Sequence, residues 1–257
     1  MKKILLSLLT IFIIQGCSQN SESESSTSSF VEYVWHTAGP DFSSDNLAKL
    51  ISDWNSIITS SGCDMDGANI LTPLEASPDY DFIWVLLWPS KDSRDACWSD
   101  WMANYDADWR KNISGIMDFD GENAYLFQIK PNYMPKVQNT SGSFTNRFNF
   151  CNYNEGHSES SLEEFSDSIR SVYFTDSYWN VLLEPQFEPE AKPDFVWLDL
   201  WASLEDKDKA YNIYLQNESL TSMSEEMFTC QYVDFAGTVI RSLLELVTGF
   251  EPVPLAW

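Results

Sequence analysis

Hydrophobic and polar positions repeat through two closely similar segments. "DFIWVLLWPS" (Asp81–Ser90) returns as "DFVWLDLWAS" (Asp194–Ser203), aligned without a gap. A strand sends successive side chains to opposite faces. Phe82, Trp84, Leu86 and Trp88 therefore share one face, and Ile83, Val85 and Leu87 the other. In the second segment Phe195, Trp197, Asp199 and Trp201 oppose Val196, Leu198 and Leu200. Upstream, a strand-like run reaches Gly39 or Gly156 and an amphipathic helix follows. Leu47, Leu50, Ile51, Trp54 and Ile57 carry helical spacing in the first copy; Leu162, Phe165, Ile169 and Val172 carry it in the second. Lys91–Asp108 and Leu204–Leu220 read as second helices. Last strands are expected near Ala124–Ile129 and Phe228–Asp234. Each copy reads β-α-β-β-α-β, over 30–130 and 145–242. A Pro- and Ser-containing linker joins them at 131–144. The tail, 243–257, has no counterpart in the first copy and is expected to pack over the joint.

That element order resembles the ferredoxin-like split βαβ unit. Such a unit covers one sheet face with its own helices and leaves the other open. Ile83, Val85 and Leu87 suit the helix-covered face. The Trp-bearing face would then be an exposed apolar patch, which soluble proteins avoid. The simplest cover is the equivalent face of the other copy. Burying four Trp in this way would contribute on the order of 20 kcal/mol before entropy, at about 25 cal/mol per Å2. The whole arrangement is similar to the dimeric α/β-barrel superfamily with both halves fused in one chain. The expected fold class is α+β: two ferredoxin-like repeats packed sheet to sheet, a monomer with an internal pseudo-dimer.

The first residues, "MKKILLSLLTIFIIQGC", combine Lys2 and Lys3 with an apolar run too short to span a bilayer as a mature helix. "IIQGC" resembles the lipobox of bacterial lipoproteins. The resemblance implies a signal peptide at 1–16, a diacylated Cys17 and a flexible polar tether at 17–29. Ser18 after the Cys points to the outer membrane, facing the periplasm or the cell surface, with the lipid as membrane partner.

The full chain carries 15 basic and 39 acidic residues, a net charge of −24. Such a surface repels nucleic acid and anionic headgroups, so no nucleic-acid partner is expected. Four Cys remain beyond Cys17. In the ferredoxin-like arrangement the end of the first helix and the start of the second lie at one end of the unit. Cys63 and Cys97 fall there, and a disulfide between them would stabilise by roughly 3–4 kcal/mol. Cys151 and Cys230 fall on neighbouring strands and read as either a second bridge or buried thiols. With His36 and His157 the only histidines and no CxxC spacing, no metal is expected. "CDMDGAN" and "MDFDGEN" open like calcium loops but lack the later ligands, and Asp-Gly is first a turn signal.

Asp199 is the sharpest anomaly, because it stands where the first copy has Leu86. A carboxylate among Trp197 and Trp201 is costly unless paired, and its pKa rises. Asp199 and His36 are the candidate catalytic groups; the alternatives are a solvated strand edge or a structural pair with Arg or Tyr for the first and a structural hydrogen bond for the second. Aligning Gly39 with Gly156 pairs His36 with Tyr153 and Trp35 with Asn152. The candidate ligand-binding set is Trp35, Trp84, Trp88, Asn152, Tyr153, Trp197 and Trp201. The superfamily includes cofactor-free monooxygenases, whose pockets mix Asn, Trp and His, and haem enzymes, whose proximal His comes from a helix. Here His36 sits on a strand and His157 in a loop, so no cofactor is expected. The leading function is binding of a small apolar or aromatic ligand between or beside the sheets. A structural lipoprotein with a filled core and a cofactor-independent oxygenase or isomerase are the alternatives.

Overall fold

The computed structural model describes residues 30–188 and 192–242. The signal segment, Cys17, the tether and the tail lie outside the described residues. The first half comprises β1 (Phe30–Ala38), α1 (Ser44–Ser61), β2 (Gly67–Pro73), β3 (Phe82–Trp88), α2 (Lys91–Asn104), α3 (Asp106–Ile113) and β4 (Met117–Tyr133). The second comprises β5 (Ser143–Tyr153), α4 (Glu159–Arg170), β6 (Trp179–Pro185), β7 (Phe195–Trp201), α5 (Leu204–Gln216), α6 (Glu218–Met227) and β8 (Phe228–Ser242). The strands close an antiparallel barrel in the order β1-β3-β2-β8-β5-β7-β6-β4. Helices cover its outside.

The repeated segments end in Ser for a local reason. Ser90 and Ser203 cap α2 and α5, their side chains accepting from the backbone N–H of Ser93 and Asp206. The single helix expected after each repeated strand is two helices, broken at Tyr105 and at Asn217. The last strands are also longer than their apolar patterns, at 17 and 15 residues for β4 and β8. Their ends work across the seam between halves. Beyond its pairing with β1, β4 pairs with β6 through Phe127–Tyr133, and β8 pairs with β2 through Phe235–Ser242. Gly237 lies at one seam, where a Cβ would meet the Phe144 ring at 2.3 Å.

The face assignment is reversed relative to the sequence expectation. Phe82, Trp84, Leu86 and Trp88 pack outward against α1, α2 and α3, with Leu50, Trp54, Trp101 and Trp109. Trp197 and Trp201 pack outward against α4, α5 and α6. The barrel interior holds Val31, Tyr33, Ile83, Val85, Phe148, Val196, Leu198 and Phe235. The physical reason is width. An eight-stranded barrel leaves an interior that ordinary side chains fill, whereas a helix layer set off from the sheet accommodates indoles. Alternation separates two faces without saying which is inside. The space expected between two sheets is therefore a packed core.

Cys63, just past α1, is bonded to Cys97 in α2, with Cα atoms 5.1 Å apart. Cys151 and Cys230 stand directly opposite on β5 and β8 and are bonded, with Cα atoms 4.1 Å apart.

Candidate functional site

Strand register replaces the alignment made on the glycines. His36 lies opposite Phe82, and Cys151 opposite Phe195. Because Phe82 and Phe195 are repeat equivalents, His36 corresponds to Cys151 and Trp35 to Phe150. The loop before Gly156 is two residues longer than that before Gly39, and this displaced the sequence alignment. The expected set is consequently dispersed. Trp35 packs at the end of the barrel interior, against Tyr80 and Tyr125. Asn152 is exposed. Tyr153 packs against Phe195 and Phe228. His36 is buried among Phe82, Trp84 and Phe119, its Nδ1 donating to the Val34 carbonyl at 2.9 Å. Burial pushes the His36 imidazole down to about 4, partly offset by its bond to Val34 and by Asp118.

The same register gives the two halves opposite polarity on the helix-facing side of the sheet. Glu32 pairs with Leu86 in the first half, and Arg147 with Asp199 in the second. Leu126 and Asp234 are the matching neighbours on β4 and β8. Glu32, wholly buried, is held by Arg94 and by Trp98 Nε1 at 2.8 Å. In the second half Arg147 makes a two-pronged pair with Asp234, both contacts at 2.8 Å, and Lys207 joins at 2.5 Å. Tyr232 and Tyr211 flank the Arg147 guanidinium, 4.0 and 5.1 Å away.

Between the second-half sheet and α4, α5 and α6 is a cavity of about 210 Å3. Its wall includes Asn149, Tyr178, Trp197, Asp199, Trp201 and Tyr214, with the Cys151–Cys230 bridge and Arg147. Asp199 reaches it because β7 alternates and position 199 faces the helices. Tyr178 Oη and Trp197 Nε1 donate to Asp199 Oδ1 at 2.8 and 2.7 Å. Asn149 Nδ2 donates to Oδ2 at 2.9 Å. Behind Tyr178, Asn180 Nδ2 donates to the phenol oxygen at 2.7 Å, and Asn132 Nδ2 donates to Asn180 Oδ1 at 2.7 Å. Burial pushes the Asp199 carboxyl up to about 6, against the pull of Trp197, Tyr178, Asn149 and Arg147. Asp199 keeps some accessible surface because it lines the cavity. Each carboxylate oxygen accepts about two hydrogen bonds, so Oδ2 retains one acceptor position. Tyr178 is raised well above its ordinary range by burial and stays a neutral donor.

Asn149, Tyr178, Arg147 and Asp234 were not singled out in the sequence. A signal existed: Arg147 and Asn149 alternate on β5, polar positions within a strand otherwise rich in Phe.

No protein-family profile matches the sequence, and neither does any curated protein. Solved structures do match in shape. A protein from Fusobacterium nucleatum subsp. nucleatum, assigned by inference as a monooxygenase, is 8% identical with a TM-score of 0.52; the match covers 89% of this chain and 99% of that one. A mutant chlorite dismutase from Candidatus Nitrospira defluvii is 9% identical with a TM-score of 0.51, covering 83% and 93%. A second mutant of that enzyme, in complex with cyanide, is 9% identical with a TM-score of 0.51, covering 83% and 91%. The chain is thus a mixed α+β protein that shares its fold with these structures.

A haem, raised by the resemblance read from the sequence, does not fit the donor set of the Asp199 cavity. Neither histidine lines that cavity, and its two Cys are bonded to each other. Among the described residues no cluster of three or more His, Cys, Asp or Glu could hold a metal ion.

Proposed function

We propose that the second-half cavity binds a small, one-ring aromatic or apolar molecule that donates a hydrogen bond to Asp199. The observation that carries this reading is the Asp199 carboxylate, fixed by three donors in an aromatic wall, with one acceptor position left. The volume suits such a ligand, since a cavity of about 150 Å3 accommodates benzene. The first half has Leu86 at the equivalent position and a cavity of only about 50 Å3.

Phenol and toluene are the probes, followed by calorimetry between pH 5 and pH 8. Phenol is expected to bind more tightly than toluene, and more tightly as pH rises through about 6, because the donor prefers the ionised carboxylate. Asp199→Asn should weaken phenol roughly tenfold and remove the pH dependence, while leaving toluene unchanged. Equal affinity for the two probes, or a pH response that survives the substitution, would exclude Asp199 as the recognition group. The raised carboxyl also supports a second reading, proton abstraction from the bound donor, because a base titrating near neutrality is suited to that step. An oxygenase or isomerase would use it.

Two further proposals rest on the sequence and the strand order. Each half runs in the spatial order fourth, first, third, second strand, which supports reading it as a ferredoxin-like repeat. The lipobox-like segment supports acylation of Cys17 and anchoring to the outer membrane. Mass spectrometry of the mature N-terminus should find a diacylated Cys17; a free Ser18 or Gln19 terminus would end that proposal.

A further inference from the structure

The first half presents a different kind of site. A cavity of about 50 Å3 lies between its sheet and α1, α2 and α3. Trp84, Trp88 and Trp101 all line it and are 4%, 1% and 7% exposed. The indole Nε1 of each is buried and reaches no hydrogen-bond acceptor among the described residues. Two other indoles are satisfied, Trp98 Nε1 donating to Glu32 and Trp197 Nε1 to Asp199, whereas Trp201 Nε1 in the second-half cavity is left without an acceptor as well. Buried polar groups are nearly always paired, so three orphaned donors around one space mark a missing acceptor. Indole is a donor only.

The rest of the wall narrows the ligand's chemistry. It contains Val34, Ile58, Met65, Leu86 and Phe119 and, among the described residues, no lysine or arginine. An anion would enter without a countercharge. A water molecule would bring two hydrogens needing acceptors, and the ring nitrogen of His36 left free by the Val34 bond is the one side-chain nitrogen acceptor among the described residues of the wall. Donors thus outnumber acceptors. We infer that this cavity is a second binding site, for a neutral molecule of a few heavy atoms, or the tip of a larger one, that presents a carbonyl-type acceptor to Trp84, Trp88 and Trp101.

The site is separate from the Asp199 cavity, and its test does not depend on that reading. Acetone and its apolar isostere isobutene fill nearly the same space and differ in the acceptor. Proton–nitrogen spectra of the intact chain with nitrogen-15 tryptophan report each indole N–H directly. Acetone should shift the Trp84, Trp88 and Trp101 resonances downfield and saturably, with at least about tenfold preference over isobutene. Trp101→Phe removes one donor and keeps a ring; it should weaken acetone roughly two- to tenfold and leave isobutene unchanged. Should that variant fail to fold, the wild-type comparison of the two probes decides alone. Equal affinity for both probes overturns the proposal. So does the absence of saturable binding, including the case in which all three indoles show contacts to ordered water only.

Discussion

Replacing Arg94 with Met is expected to lower the free energy of unfolding by about 3–5 kcal/mol, the usual result of removing one partner of a buried ion pair. Glu32 is 0% exposed and accepts from Arg94 and from Trp98. Without the guanidinium, its carboxylate would be charged in an apolar layer with a single indole donor. The double variant Glu32→Leu with Arg94→Met should recover most of the loss, because no buried charge remains. Leu86 and Leu126, its register neighbours, show that the layer accepts leucine. Urea unfolding followed by tryptophan fluorescence measures both, as a shift in midpoint at unchanged slope. If Arg94→Met falls within about 1 kcal/mol of wild type, the pair does not carry the stability assigned to it.

Two buried groups are expected to impose opposite pH dependences that nearly cancel in the wild type. His36 is lowered from 6.5 to about 4, so the folded state releases its proton first. Its contribution is fully present above pH 6.5 and is lost as pH falls through about 4. Asp199 is raised from 3.8 to about 6, so the folded state keeps its proton longer. Its contribution is fully present below pH 3.8 and is lost as pH rises through about 6. At 1.36 kcal/mol per unit, each amounts to about 3 kcal/mol. Asp199→Asn should therefore unmask His36: relative to wild type, stability gains about 3 kcal/mol between pH 4 and pH 6.5. His36→Phe should do the reverse, declining by a similar amount over the same interval. Taking differences from wild type removes the background of the other carboxylates. Difference curves that stay flat across this window would show that neither group is held as its surroundings imply.

The repeat was legible because apolar periodicity and a near-identical segment are local properties of the chain. So was the oddity of Asp199, since a carboxylate at a position filled by Leu86 in the other copy is visible by comparison alone. The cap serines could also have been found, as each lies two residues past a strand and directly before a helix. The binding set was less legible. Trp35, Asn152 and Tyr153 were grouped by matching glycines, and a two-residue difference in loop length misaligned the strands that precede them. Arg147, Asn149, Tyr178 and Asp234 converge on one side of the second half from two strands and the turn before β6. No sequence window contains that convergence.

What the sequence determined by itself is what depends on neighbouring residues or on composition: two copies of one α+β unit, which side chains share a face, and a strongly acidic balance of charge. Which face lies inside was decided only in three dimensions. Closing eight strands into a barrel leaves an interior that Val, Ile, Leu and a few rings fill, so the indoles moved outward under the helices. That same choice placed Asp199 in a helix-covered cavity rather than between sheets. Burial there, and the donors that converge from β5, β7 and the turn before β6, set its charge and its chemistry.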